Sequence, residues 1–114
     1  MAQDPIYLRY LGALATLRNF LGVHYYQTVW DDFLSDEEIW NHYAKRTDPQ
    51  TIHQLVEQIE TLLKQPPEAI EQFLADAIGV SGGLYFENPQ EAEAWLHRCQ
   101  THMLLVLSQL DMRC

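Results

Sequence analysis

Apolar residues recur along the chain at spacings of three and four, the repeat of helices with one buried face, and stretches holding proline or glycine separate the runs. The first run, Ile6 to Leu21, aligns Leu8, Leu11 and Ala15 on one line and Leu14, Leu17 and Leu21 on another. Asp4-Pro5 supplies its start. The aspartate offers an oxygen to the free N–H groups of a first turn, and proline's missing N–H costs nothing at the first helical position. Gly22 is the expected end. Asp48-Pro49 repeats that signal before Ile52, Leu55, Val56, Ile59, Leu62 and Leu63, the cleanest amphipathic stripe in the sequence. Pro66-Pro67 stops this helix and opens another, with Ile70, Phe73, Leu74, Ala77 and Ile78 inward. Asn88-Pro89-Gln90-Glu91 joins a capping residue, a first-position proline and a glutamate at the third position. It predicts a last helix reaching about Leu110, with Ala92, Trp95, Leu96, Cys99, Met103, Val106 and Leu110 facing in.

Between these runs the pattern is aromatic. Tyr25, Tyr26, Trp30 and Phe33 fall within the segment from Val23 to Leu34, and Tyr26, Trp30 and Phe33 share a helical face, which predicts a short helix. Ser35 or Asp36 caps a following helix from Glu37 to Lys45. Glu37 and Glu38 lie in its first turn, where the helix dipole favours them, and Ile39, Trp40 and Tyr43 form its apolar side. Gly79-Val80-Ser81-Gly82-Gly83 is a turn-rich break in which the Gly82-Gly83 pair reads as a turn with positive φ. Leu84-Tyr85-Phe86 is too short to establish a strand and reads as an extended connector. With no strand pair, repeat or linker, the expectation is one all-α domain spanning residues 1–114, a compact bundle of about five to six helices.

Composition adds one strong constraint. Hydrophobic residues at 47% and charged residues at 20% suit a chain that buries a core. The balance of charge is unusual: 16 Asp and Glu against 7 Lys and Arg give a formal net charge of -9. Direct binding to nucleic acid or to an anionic membrane calls for the opposite sign, so a basic partner is favoured instead. No stretch approaches the roughly 18 apolar residues of a membrane span. Met1-Ala2-Gln3-Asp4 lacks the basic start of a secretion signal, and Cys99 and Cys114 are too few for a disulfide framework. A cytoplasmic protein is expected.

Sites for chemistry do not assemble. Among His24, His42, His53, His97 and His102 no two stand four apart with an acid between, and His97 and His102 lie about 140° apart around a helix. Neither metal nor cofactor is expected. Cys99 falls on an apolar stripe and His97, two residues away, points to another side, so no nucleophile meets a base. The Gly82-Gly83 pair lacks the pattern of a phosphate loop. Paired acids such as Asp31/Asp32 read first as caps and solvated faces. Their distribution is nonetheless suggestive. No Lys or Arg occurs between Asn19 and Ala44, where Asp31, Asp32, Asp36, Glu37 and Glu38 cluster. A second stretch without either, Gln65 to His97, holds Glu68, Glu71, Asp76, Glu87, Glu91 and Glu93. Folded onto one side, the two would make a field that raises encounter rates with a basic partner to about 10⁸ M⁻¹s⁻¹ at low salt. Tyr25, Tyr26, Trp30 and Trp40 decorate the first stretch and Tyr85 and Phe86 the second, and aromatics beside carboxylates are what a protein-binding patch uses.

Residues 17–31, LRNFLGVHYYQTVWD, followed by SDEEIW at 35–40, resemble the opening of the small immunity proteins of bacterial contact-dependent growth inhibition and related toxin systems. The helix TIHQLVEQIETLL at 51–63, the next as PEAIEQFLADAIG at 67–79, and YFENPQEAEAWL at 85–96 agree with that family. In the aromatic segment the chain departs from it: Gln27-Thr28-Val29-Trp30 has extra spacing and no Asp before Trp30. The resemblance implies an all-helical cytoplasmic protein without catalysis of its own. Such a protein binds a cognate toxin domain, often a basic nuclease and with a ribonuclease favoured, as a monomer in a one-to-one complex. Occlusion of the active site or substrate surface is the implied mechanism, with carboxylates standing where phosphates sit. The candidate anchors are Tyr25, Trp30 and Tyr85, and the candidate phosphate mimics are Asp31, Asp32, Asp36, Glu37 and Glu87. The rival readings are an acidic nucleic-acid mimic or adaptor acting on another basic host protein, and an enzyme of unknown chemistry.

Overall fold

Local hydrogen bonds set the helix boundaries of the computed structural model, which describes residues 14–79 and 82–112 and the side chains through 110. Ser35 Oγ accepts the Glu38 N–H at 3.3 Å and starts a helix at Asp36, as expected from the sequence. Asp48 Oδ1 accepts the Thr51 N–H at 2.7 Å, and this bond holds the Asp48 carboxyl below its ordinary range. Asn88 Oδ1 accepts the Glu91 N–H at 2.9 Å, while Glu91 Oε2 reaches back to the Glu87 N–H at 2.9 Å. The helices so bounded are α1 (Ala15–His24), α2 (Val29–Asp32), α3 (Asp36–Lys45), α4 (Pro49–Leu63), α5 (Pro67–Ile78) and α6 (Pro89–Met112). No strand occurs among the described residues, and the protein is all-α. The Asp4-Pro5 start, and Val80-Ser81 within the glycine-rich break, lie outside them.

Gly22 does not end α1. The helix runs on to His24, and the Tyr25 N–H closes it by donating to the Leu21 carbonyl at 3.1 Å. A Cβ at Gly22 would stand 3.4 Å from the Ala77 carbonyl oxygen, an ordinary contact where α1 passes α5. The Gly82-Gly83 pair is corrected in a similar way. Among the described residues positive φ belongs to Gly79, at 93°, where α5 ends. Gly82 and Gly83 are needed for room, since a Cβ on Gly83 would lie 2.5 Å from the Tyr26 carbonyl oxygen and one on Gly82 2.9 Å from that of Ile78.

Helix α6 is the spine: α3, α4 and α5 pack along it, and α1 lies across α4 and α5. One continuous core results, with Leu17, Phe20, Leu21, Ile52, Leu55, Ile59, Ile70 and Phe73 buried against Trp95, Leu96, Cys99 and Met103. At the far end of α6 the buried residue is Leu107, four after Met103, while Val106 and Leu110 are half-buried. Cys99 is fully buried and burial pushes its thiol pKa far up, so it packs as a small hydrophobe.

His24 gives this core a pH dependence. Its Nδ1–H donates to the Phe20 carbonyl at 3.1 Å, and its ring lies 5.2 Å from that of Tyr43 and 6.4 Å from that of His42. Burial lowers its pKa below the ordinary 6.5; the Phe20 bond opposes that shift and His42 adds to it. His102 is lowered by burial too, against the opposing pull of Glu37. The unfolded chain therefore takes up protons near 6.5 that the folded protein still refuses, and stability falls as pH drops through and below that value. Urea midpoints are expected to be lower at about pH 5 than at about pH 7.5, with a smaller difference in His24→Gln. Equal slopes in variant and parent would assign the effect to other groups.

Candidate protein-binding surface

Tyr25 is where the candidate surface is tied to the core, and it is not itself on that surface. Its ring is fully buried, with the Trp95 ring at 5.5 Å and the Phe20 ring at 6.2 Å. Its hydroxyl donates to Asp36 Oδ1 at 2.7 Å. Burial first, and then the neighbouring Asp36 carboxylate, push the phenol pKa far up, so the group remains a donor at any physiological pH. Proposed from sequence as an anchor, Tyr25 is a structural residue. Asp36 is likewise partly withdrawn from the surface. Its side chain is 15% exposed and also accepts from Arg98 Nη2 at 3.2 Å, so most of its charge is already answered.

The backbone leaves α1 at Tyr25 without regular structure, and α2 follows as a single turn. Within it Val29, rather than Phe33, is the buried residue, and Tyr26 and Trp30 face outward. Asp31 and Asp32 are exposed, and the Tyr26 hydroxyl donates to Asp32 Oδ2, a bond that raises the Tyr26 pKa. Trp30 remains 43% exposed, and its Nε1–H donates to the Gly83 carbonyl at 2.5 Å. The Gly83 N–H donates in turn to the Tyr25 carbonyl at 3.0 Å. These two bonds form a seam between α2 and the connector of residues 82–88, two segments more than 50 positions apart that both lie in stretches free of Lys and Arg. The connector forms neither helix nor strand and carries Tyr85 at 83% exposure and an exposed Glu87.

Glu37 is exposed but turned elsewhere. It lines a shallow cleft between α3 and α6 together with His97, Arg98 and His102, apart from Asp31 and Asp32. Trp30, Asp31 and Asp32 thus lie exposed on α2 and Tyr85 and Glu87 exposed on the connector that the seam ties to it, while Glu37 lies beside Arg98 and Tyr25 is internal. Sequence reasoning assigned no role to Leu34, which is 90% exposed between α2 and α3, and set Tyr26, 37% exposed, among the patch aromatics but not among the anchors. An apolar residue directly after the aromatic run was the one signal for Leu34. Among the described residues no group of three His, Cys, Asp or Glu side chains is placed to hold a metal ion. No helix among them is long and apolar enough to cross a membrane.

What the seam offers chemically is contact: ring faces and carboxylates without a basic residue beside them in sequence. Comparison with known families places this surface in context. The profile described as "CdiI immunity protein" matches residues 13–103, and the chain belongs to that family. The family implies a cognate toxin as binding partner, and its members are generally not enzymes. Neither the curated proteins nor the solved structures give a match.

Proposed function

We propose that this protein neutralises a basic toxin domain, a nuclease with ribonuclease favoured, by covering its substrate-binding surface in a one-to-one cytoplasmic complex. The observation that carries the reading is the seam, where two acidic segments free of Lys and Arg meet around partly exposed Trp30 and exposed Tyr85. A nuclease holds its polyphosphate substrate with Lys and Arg side chains, and Asp31, Asp32 and Glu87 offer carboxylates for the same partners. Trp30 and Tyr85 act as anchors, because large rings enclosed at an interface supply most of its energy. Protection against a few entering molecules calls for nanomolar binding, about -12 kcal/mol, which an interface of about 800 Å² per partner reaches when its anchors are well packed.

The test begins with co-expression. Among candidate toxin domains, the one whose growth inhibition this protein relieves is the cognate partner, and stopped-flow mixing with it measures the association rate. Reversing Asp31 and Asp32 to Lys is expected to slow association about tenfold at low salt and to flatten its salt dependence. Glu37→Lys, beside Arg98 and His102, is expected to change the rate much less. An unchanged rate in the Asp31/Asp32 variant removes the α2 carboxylates from the interface. Failure to relieve any toxin, with capture of a different basic protein, replaces the reading with that of an adaptor.

A further inference from the structure

Beside the seam, α5 and the connector enclose a groove of about 870 Å³. Its floor is apolar, formed by Ile78, Leu84 and Phe86, which are half-buried and packed against the core. Glu71, Asp76 and Glu87 supply carboxylates to its walls, and Tyr85 stands at its edge. Among the described residues none of these three carboxylates, nor the Tyr85 hydroxyl, has a hydrogen-bond or ion-pair partner. No Lys or Arg occurs in the sequence from Gln65 to His97, which spans every residue lining the groove. The feature is thus an apolar trough walled by unanswered negative charge, with one free aromatic face.

Those properties select an occupant. A polyphosphate is repelled, and a bound metal ion lacks a set of three ligands among the described residues. A lysine satisfies the charge but makes little use of the ring. A guanidinium satisfies both, since it is planar, weakly hydrated, stacks on aromatic faces and bonds carboxylates through paired N–H groups. We infer that the groove between α5 and the connector receives an arginine-bearing segment of the toxin domain, with a guanidinium against the Tyr85 ring and the Glu71, Asp76 and Glu87 carboxylates spaced along its walls. This rests on the toxin-binding reading for the identity of the partner, and it extends the contact surface from the seam onto α5.

Two arms test it separately. In the first, isotope-labelled full-length protein is titrated with a blocked peptide of alternating glycine and arginine, and with its lysine and citrulline counterparts, at about 50 mM salt, where screening is moderate. Saturable shifts are expected at Ala75, Asp76 and residues 84–87, strongest for arginine and lost for citrulline. Neutralising the walls with Glu71→Gln, Asp76→Asn and Glu87→Gln is expected to weaken arginine-peptide binding about tenfold with an unchanged unfolding midpoint. Shifts spread evenly over the acidic surface, or equal affinity in the neutralised protein, overturn the groove. In the second arm a variant with Glu71→Gln and Asp76→Asn alone, which keeps Glu87 of the seam, meets the toxin domain identified by co-expression. Toxin binding at parental strength removes the groove and leaves the proposed function standing. If the parent protein binds no toxin domain the proposed function fails, and the peptide arm still decides whether the groove selects arginine.

Discussion

Trp95→Ala is expected to destabilise the protein by about 3–5 kcal/mol, the cost of emptying a large aromatic site that its surroundings refill only in part. Trp95 is 4% exposed, and the rings of Tyr25, Trp40 and Phe86 lie at 5.5, 5.8 and 5.8 Å from its own. Single domains are stable by about 5–15 kcal/mol, so this substitution removes about a fifth or more of the total and lowers the urea midpoint accordingly. Trp95→Phe refines the expectation. The Trp95 Nε1–H is buried without an acceptor among the described residues, so replacing the indole loses packing but also relieves an unmet polar group. Its cost is expected to be about 1–2 kcal/mol. Equal losses for Ala and Phe would show that the site tolerates no change of ring, and that cavity size is not the controlling term.

The second large effect is expected at Gly83. A Cβ there meets the Tyr26 carbonyl oxygen at 2.5 Å, with the Val29 side chain beside it, and neither a main-chain oxygen nor a buried Val29 gives way cheaply. Gly83→Ala must lift the connector from α2, breaking both the Gly83–Tyr25 main-chain bond and the Trp30 indole bond. The expected loss is about 1–3 kcal/mol of stability, with Trp30 fluorescence shifted toward that of a solvated indole. Because Trp30 and Tyr85 no longer stand in register, toxin affinity is expected to fall further than stability alone dictates. Gly79→Ala is the informative contrast. Among the described residues nothing crowds that site, but φ 93° with ψ 164° is backbone that only glycine adopts readily, so its cost is local strain at the end of α5. Binding retained in Gly79→Ala and lost in Gly83→Ala would locate the functional constraint at the seam.

Much of the fold was legible because its signals are local. Ser35, Asp48 and Asn88 announce helix starts through bonds spanning three residues, and the stripe of Ile52, Leu55, Ile59 and Leu62 needs only a regular helix to be read. The site was less legible where regular structure stops. Tyr25 and Tyr26 are adjacent and chemically identical, yet one is sealed and the other 37% exposed. Their directions are set by Asp36, Trp95 and Asp32, partners that no helical period connects to them. A helical face drawn through Tyr26, Trp30 and Phe33 fails because α2 holds only four residues, too few to carry a period. Glycine gives another case of the same limit. The sequence shows that a Cβ is absent at Gly82 and Gly83 but not whether dihedral freedom or space is the reason, and a neighbour more than 50 positions away decides that for Gly83. Asp31, Asp32 and Glu37 look equivalent along the chain, and only the packing of α3 against α6 separates Glu37 from the others.

The Gly83–Tyr25 bond joins main-chain atoms, and this bears on how the protein can diverge. Side chains at positions 31, 85 and 87 project from a frame whose main-chain bond does not depend on their identity, whereas Asp32 also holds the Tyr26 hydroxyl. Under the proposed function, lineages that encounter new toxins rewrite those positions one at a time and change partner preference at little expense to thermal tolerance. Variation among close homologues should accordingly concentrate there, while Tyr25, Trp95 and Gly83 stay fixed.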